Sequence, residues 1–178
     1  MKQISPSRKT AFVAECSALL IASLALSYLE AVLPVSAVIP FPGFKPGLAN
    51  VAVIIAFFRI SPYAAAVISA ARCFISSILF SGVTTLMFSL SGAALSFTVL
   101  LVLSLIFKDK ISFIGLSVTM AFFHNVGQLI CAGLVMHTAS VFYYFPVLTA
   151  AALIFGVLTG VILSALPNKI YSSKDAVK

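Results

Sequence analysis

The side chains able to do chemistry in this sequence are few, and most of them are cations or amides. They are Lys45 and Asn50 in the stretch PFPGFKPGLANV, Arg72 inside an apolar run, and His124, Asn125 and Gln128 in the segment HNVGQ. Against them stand only four carboxylates in the whole chain, Glu15, Glu30, Asp109 and Asp175. Lysine and arginine donate charge-assisted hydrogen bonds to carboxylate or phosphate groups, and arginine does so bidentately. His124 and Gln128 are four residues apart and share one helix face. The chemistry these types suggest is recognition of an anion.

Other chemistries lack their residues. There is no GxxxxGK[ST] phosphate loop, no HExxH and no paired-carboxylate site. Asp109 and Asp175 are far apart and form no cluster that could hold a divalent cation through oxygen ligands. Cys16, Cys73 and Cys131 form no CxxC pair and sit in apolar surroundings, which reads as free thiols. No catalytic residue, no metal ligand and no cofactor is therefore expected. The net charge of +7 raises nucleic acid as a partner, but no basic stripe interleaved with aromatics is present, and that partner is set aside.

The elements that position these residues follow from composition. Of 178 residues, 62% are hydrophobic and 8% charged, and the mean hydropathy is +1.19. A soluble domain carries about 25% charged residues, so the expectation is a single all-α membrane domain over residues 1–178. The opening MKQISPSRKT resembles a signal-peptide start but lacks a small-residue cleavage site, so residues 10–31 are read as a retained helix. A bilayer core of about 30 Å needs roughly 20 apolar residues per helix. Six spans are predicted, over 10–31, 47–60, 62–80, 84–107, 111–136 and 143–166. With both termini inside, Lys2, Arg8, Lys9, Arg59, Lys108, Lys110, Lys169, Lys174 and Lys178 fall on the cytoplasmic side and Lys45 on the outer one.

That topology puts Arg72 near the bilayer middle, His124 and Asn125 just past it, Gln128 further out, and Lys45 and Asn50 in the outer half. A charge at such depth costs at least about 2.5–3.5 kcal/mol on insertion scales and faces a partner or a cavity. Glu30 can pair with Lys45 at the outer surface, whereas nothing acidic in the sequence neutralises Arg72. Two readings stand for Arg72, a structural arginine on backbone carbonyls or the counter-ion of an anionic ligand. Two also stand for His124, an interhelical hydrogen-bonder or a pocket residue. Ser89, Ser91 and Gly92 read as close-packing residues. Pro42-Gly43 and Pro46-Gly47 set turns that start a helix, and its free N–H groups beside Lys45 attract anions.

At these residues the chain resembles a known family. PGFKPGLAN looks like the PGxKxGLAN signature of the bacterial Gx transporter family, also labelled heptaprenyl diphosphate synthase component I. Arg72 followed by Gly82, SLSGA at Ser89 to Ala93, and HNVGQ fit the same order, with Pro46 standing where the family more often has an aliphatic residue. That family is similar to the substrate-binding S-components of energy-coupling factor (ECF) transporters, six-helix proteins of the cytoplasmic membrane that hold a ligand in their outer half. The resemblance implies docking on a T-component with ATPase subunits through small residues of helix one, here Ala14, Ala18 and Ala22. The family's other label implies a non-catalytic membrane partner of heptaprenyl diphosphate synthase.

Overall fold

Apolar periodicity and capping set the helices of the computed structural model, which describes residues 8–32, 45–107 and 111–167. They are α1 (Arg8–Val32), α2 (Asn50–Arg59), α3 (Pro62–Ser76), α4 (Val83–Phe107), α5 (Phe113–Met136) and α6 (Phe145–Ala165). Ser61 caps α3 by accepting the Ala64 N–H at 3.1 Å, and Pro62 occupies the first turn, where no N–H is needed. Ser112 caps α5 in the same way through Ile114. A wider π-helical turn, Ser77–Ser81, extends α3, and a 3₁₀ turn, Ala139–Tyr144, leads into α6. No strand occurs among the described residues.

Among the described residues, five helical stretches are long and apolar enough to cross a membrane: Lys9–Val32, Pro62–Phe80, Val83–Phe107, Phe113–Met136 and Ala139–Ala165. These agree with five of the six predicted spans. The span predicted over 47–60 is different. There the helix runs only from Asn50 to Arg59, about 15 Å at 1.5 Å per residue, or half of a bilayer core. The reason lies in the backbone before it. Gly47 sits at φ +88°, a left-handed conformation that turns the chain and that residues with a side chain rarely adopt. Residues 40–44 of the Pro/Gly stretch and the Lys108–Lys110 connection lie outside the described residues, as do both termini.

Successive helices run antiparallel. Glu15 meets Arg59 and Glu30 meets Ala49 between α1 and α2, Arg72 meets Asn50 between α2 and α3, and Cys73 meets Ser89 between α3 and α4. The close approaches of Gly92 to His124 and of Gly156 and Gly160 to Val118 and Ile114 continue the pattern through α5 and α6. Arg8 and Ala165 therefore lie at the same end of the bundle. The interior is apolar in three patches, one around Phe88, Leu129 and Leu148, one around Ile54, Leu100, Leu116 and Leu163, and one around Val53, Ala65 and Ile68. Ile21, Ile78, Leu105, Leu134 and Ile154 project outward and exposed. A surface this apolar is matched to lipid tails and not to water. The chain is an all-α, multi-pass membrane protein.

Candidate functional site

Between these apolar patches lies a polar one. Lys45, Arg72 and His124 line a common cavity with Ser27, Cys73, Ser76 and Ser89. They come from five parts of the bundle: Ser27 from α1, Lys45 from the turn before α2, Arg72, Cys73 and Ser76 from α3, Ser89 from α4 and His124 from α5. Arg72 lies about 15 Å along α3 from Pro62, and His124 about 16 Å along α5 from Phe113, which puts both about midway along the apolar stretches that contain them. The free space at the centre is about 10 Å³, on the scale of one water molecule. A larger group enters only by displacing a lining side chain, and half-buried Lys45 is the most exposed of these.

Hydrogen bonds hold the cations loosely. Lys45 Nζ donates to Ser76 Oγ at 3.4 Å, and Arg72 Nη2 donates to Asn50 Oδ1 at 3.4 Å. Both distances are long for such contacts. Arg72 is 4% exposed, yet its Nε finds no hydrogen-bond partner among the described residues, and neither does Ser89 Oγ. A buried guanidinium with an idle donor is costly, because buried polar groups are normally paired. Gln128 Nε2 lies 3.2 Å from His124 Nε2, with the amide donating to the ring nitrogen. A Cβ on Gly92 would stand 2.8 Å from the His124 carbonyl, so the bare glycine is what lets α4 close over the imidazole.

Of the predicted site residues, the structure gathers Lys45, Arg72 and His124 around the cavity, with Asn50 attached through Arg72 and Gln128 through His124. Asn125 is not brought there: its Nδ2 donates to the Leu148 carbonyl at 2.9 Å, tying α5 to α6. Neighbouring residues of a helix point about 100° apart at 3.6 residues per turn, so His124 and Asn125 face different neighbours. The expected surface pair of Glu30 and Lys45 is also replaced. Glu30 is 5% exposed and accepts the Ala49 N–H at 3.3 Å, which places a carboxylate at the start of α2, where the free N–H groups were expected to draw an external anion. It lies within electrostatic reach of Arg72 and Lys45, so Arg72 has an acidic neighbour after all.

The sequence reading passed over Ser27, Cys73 and Ser76. On α1 the signal was present, since Ser23, Ser27 and Glu30 recur at helical spacing and are all buried. Ala14, Ala18 and Ala22 are exposed on the opposite side of α1, outside the cavity.

The family described as heptaprenyl diphosphate synthase component I matches residues 19–166. That range takes in every residue of the cavity. No curated protein and no solved structure matches the chain.

Proposed function

Because the chain belongs to the heptaprenyl diphosphate synthase component I family, we propose that it serves as a non-catalytic membrane subunit that holds a small anionic ligand. The observation that carries this reading is the buried cluster of Lys45, Arg72 and His124, two cations and an imidazole lining one cavity, with Arg72 Nε unpartnered. Arginine's fork and the lysine charge suit a carboxylate or phosphate. The polar lining offers no aspartate pair for a divalent cation, and although Cys73, Ser76 and Ser89 share the cavity with His124, the Cys73 thiol and Ser76 hydroxyl donate to backbone carbonyls while Gln128 takes His124 Nε2, so binding is the role its chemistry favours.

In the leading reading the chain is an S-component-like subunit of an ECF-type transporter in the bacterial cytoplasmic membrane, with both termini inside and the cavity reached from outside. The ligand is then a small anionic vitamin- or isoprenoid-related molecule. The exposed Ala14, Ala18 and Ala22 ridge on α1 is available for close helix approach by a T-component, and separate ATPase subunits supply the energy. The family's description favours a second reading, a membrane component that assembles with a soluble prenyl diphosphate synthase. A tagged copy purified in mild detergent separates them. ECF subunits in the eluate support the first, and a DDxxD-bearing synthase supports the second. Native mass spectrometry of the same sample tests the shared claim, because a retained anionic small molecule that Arg72→Gln loses is its expected result.

A further inference from the structure

Glu30 and Glu15 are the two carboxylates among the described residues, and their settings are opposite. Glu15 is held at a half-exposed position by Arg59, whose Nη2 donates to Oε1 at 2.9 Å. Glu30 is 5% exposed at the last turn of α1, with the Ala49 and Leu48 N–H groups beside its carboxylate. Oε1 takes the Ala49 N–H, while Oε2 has no hydrogen-bond partner among the described residues. The next residue, Asn50, is the one that accepts from Arg72. The carboxylate is thus one residue removed from the guanidinium, in the same buried network, and Lys45 acts on it electrostatically as well.

Charge at this depth must balance, because unpaired charge is expensive where water is scarce. The cluster carries two formal positive charges, on Lys45 and Arg72, and Glu30 removes one. Resting on the anion-binding reading above, we propose that Glu30, buried behind the cavity lining, sets the ligand charge the cavity accepts: one negative charge balances the site, and a second exceeds what the two cations can offset. Specificity then rests on repulsion as much as on attraction. A carboxylic acid or a phosphodiester fits this description, and so does a sulfonate. A terminal phosphate carrying two charges does not.

Glutamine at position 30 keeps an oxygen to accept the Ala49 N–H and loses the charge, so Glu30→Gln separates charge gauging from helix capping. The probes are methanesulfonate and sulfate, two tetrahedral anions of one and two charges whose ionisation does not change near neutral pH. Their binding to the detergent-purified full chain is measured by equilibrium dialysis of the labelled anions at fixed ionic strength. The wild-type chain is expected to prefer methanesulfonate by about tenfold or more, since like-charge juxtaposition costs that much or more. Glu30→Gln is expected to shift the ratio toward sulfate by at least a similar factor, and Arg72→Gln to lose both. A wild-type preference for sulfate overturns the proposal before any variant is made. So does an unchanged ratio in Glu30→Gln, which would leave Glu30 a helix cap only and the anion site intact. If the wild-type chain retains neither anion, the anion-binding reading itself falls and this inference falls with it.

Discussion

Replacing Gly92 with alanine should force α4 away from α5 at the level of His124. A Cβ at this position stands 2.8 Å from the His124 carbonyl oxygen and 3.0 Å from both Cε1 and Nδ1 of the ring. The carbonyl belongs to the α5 backbone and cannot rotate aside as a side-chain end can. Overpacking of this kind costs about 1–3 kcal/mol. Exchanging glycine for alanine inside a helix returns about 1 kcal/mol of propensity. Gly115, on α5, isolates that gain, because a Cβ there meets nothing within 4 Å. Gly115 stands in the first turn of α5, where propensity counts for less than at mid-helix Gly92, so the contribution cancels only in part and Gly115→Ala should be the more stable by up to about 3 kcal/mol. Reversible unfolding in mixed micelles, followed by helical circular dichroism as the denaturing detergent fraction rises, measures the difference. Methanesulfonate binding should weaken in Gly92→Ala alone, since the displaced ring lines the cavity. Equal stability of the two variants would refute the close-approach argument and the account of how His124 is held.

Arg72→Gln and Lys45→Gln should each weaken anion binding about ten- to a hundredfold, from losing one charge-assisted contact of about 1.5–3 kcal/mol. Arg72→Lys should restore little, because the planar fork is what the site uses, and unchanged affinity in a folded Arg72→Gln chain would make the arginine structural. In a background lacking Cys16, Cys73 and Cys131, a cysteine at Ala37 should react with an impermeant thiol reagent on intact cells and one at Ser112 should not, and the reverse pattern inverts the proposed orientation. Ala18→Trp should leave anion binding unchanged and reduce recovery of a T-component in pull-downs. Undiminished recovery in both Ala18→Trp and Ala22→Trp would make the ridge an ordinary lipid-facing surface.

Hydropathy reported five of the spans to within a few residues because a bilayer imposes length and composition directly. The second span, a short helix after the turn that Pro46-Gly47 sets, is ten residues long because Gly47 at φ +88° delays its start to Asn50. The meeting of Lys45, Arg72 and His124 was legible, since a few buried polar groups in an apolar bundle have few places to go. Directions around a helix were harder: Asn125 shares its depth with His124 but faces α6. Glu30 lies near the end of the predicted 10–31 span, which suggests the outer surface, yet it shares the inward face of α1 with Ser23 and Ser27 and meets Ala49 of the segment before α2. The GVLTG segment, with Gly156 and Gly160 one turn apart, is a small-xxx-small pattern that the sequence reading passed over, and it is where α6 presses on α5.

The shortness of α2 bears on how the chain enters the bilayer. Ten residues cannot cross a hydrocarbon core alone, and the unwound Lys45–Ala49 segment brings backbone N–H and C=O groups to membrane depth. Such a segment is tolerable only once neighbouring protein satisfies it. α2 is therefore expected to leave the insertion machinery as one arm of a hairpin with α1, pinned at one end by Glu15 and Arg59 and at the other by Glu30 and Ala49. The contacts that fasten α2 to α1 are, on this account, the ones that make the half-length helix insertable, so loss of Glu30 together with Glu15 should appear first as failed biogenesis and only second as altered binding.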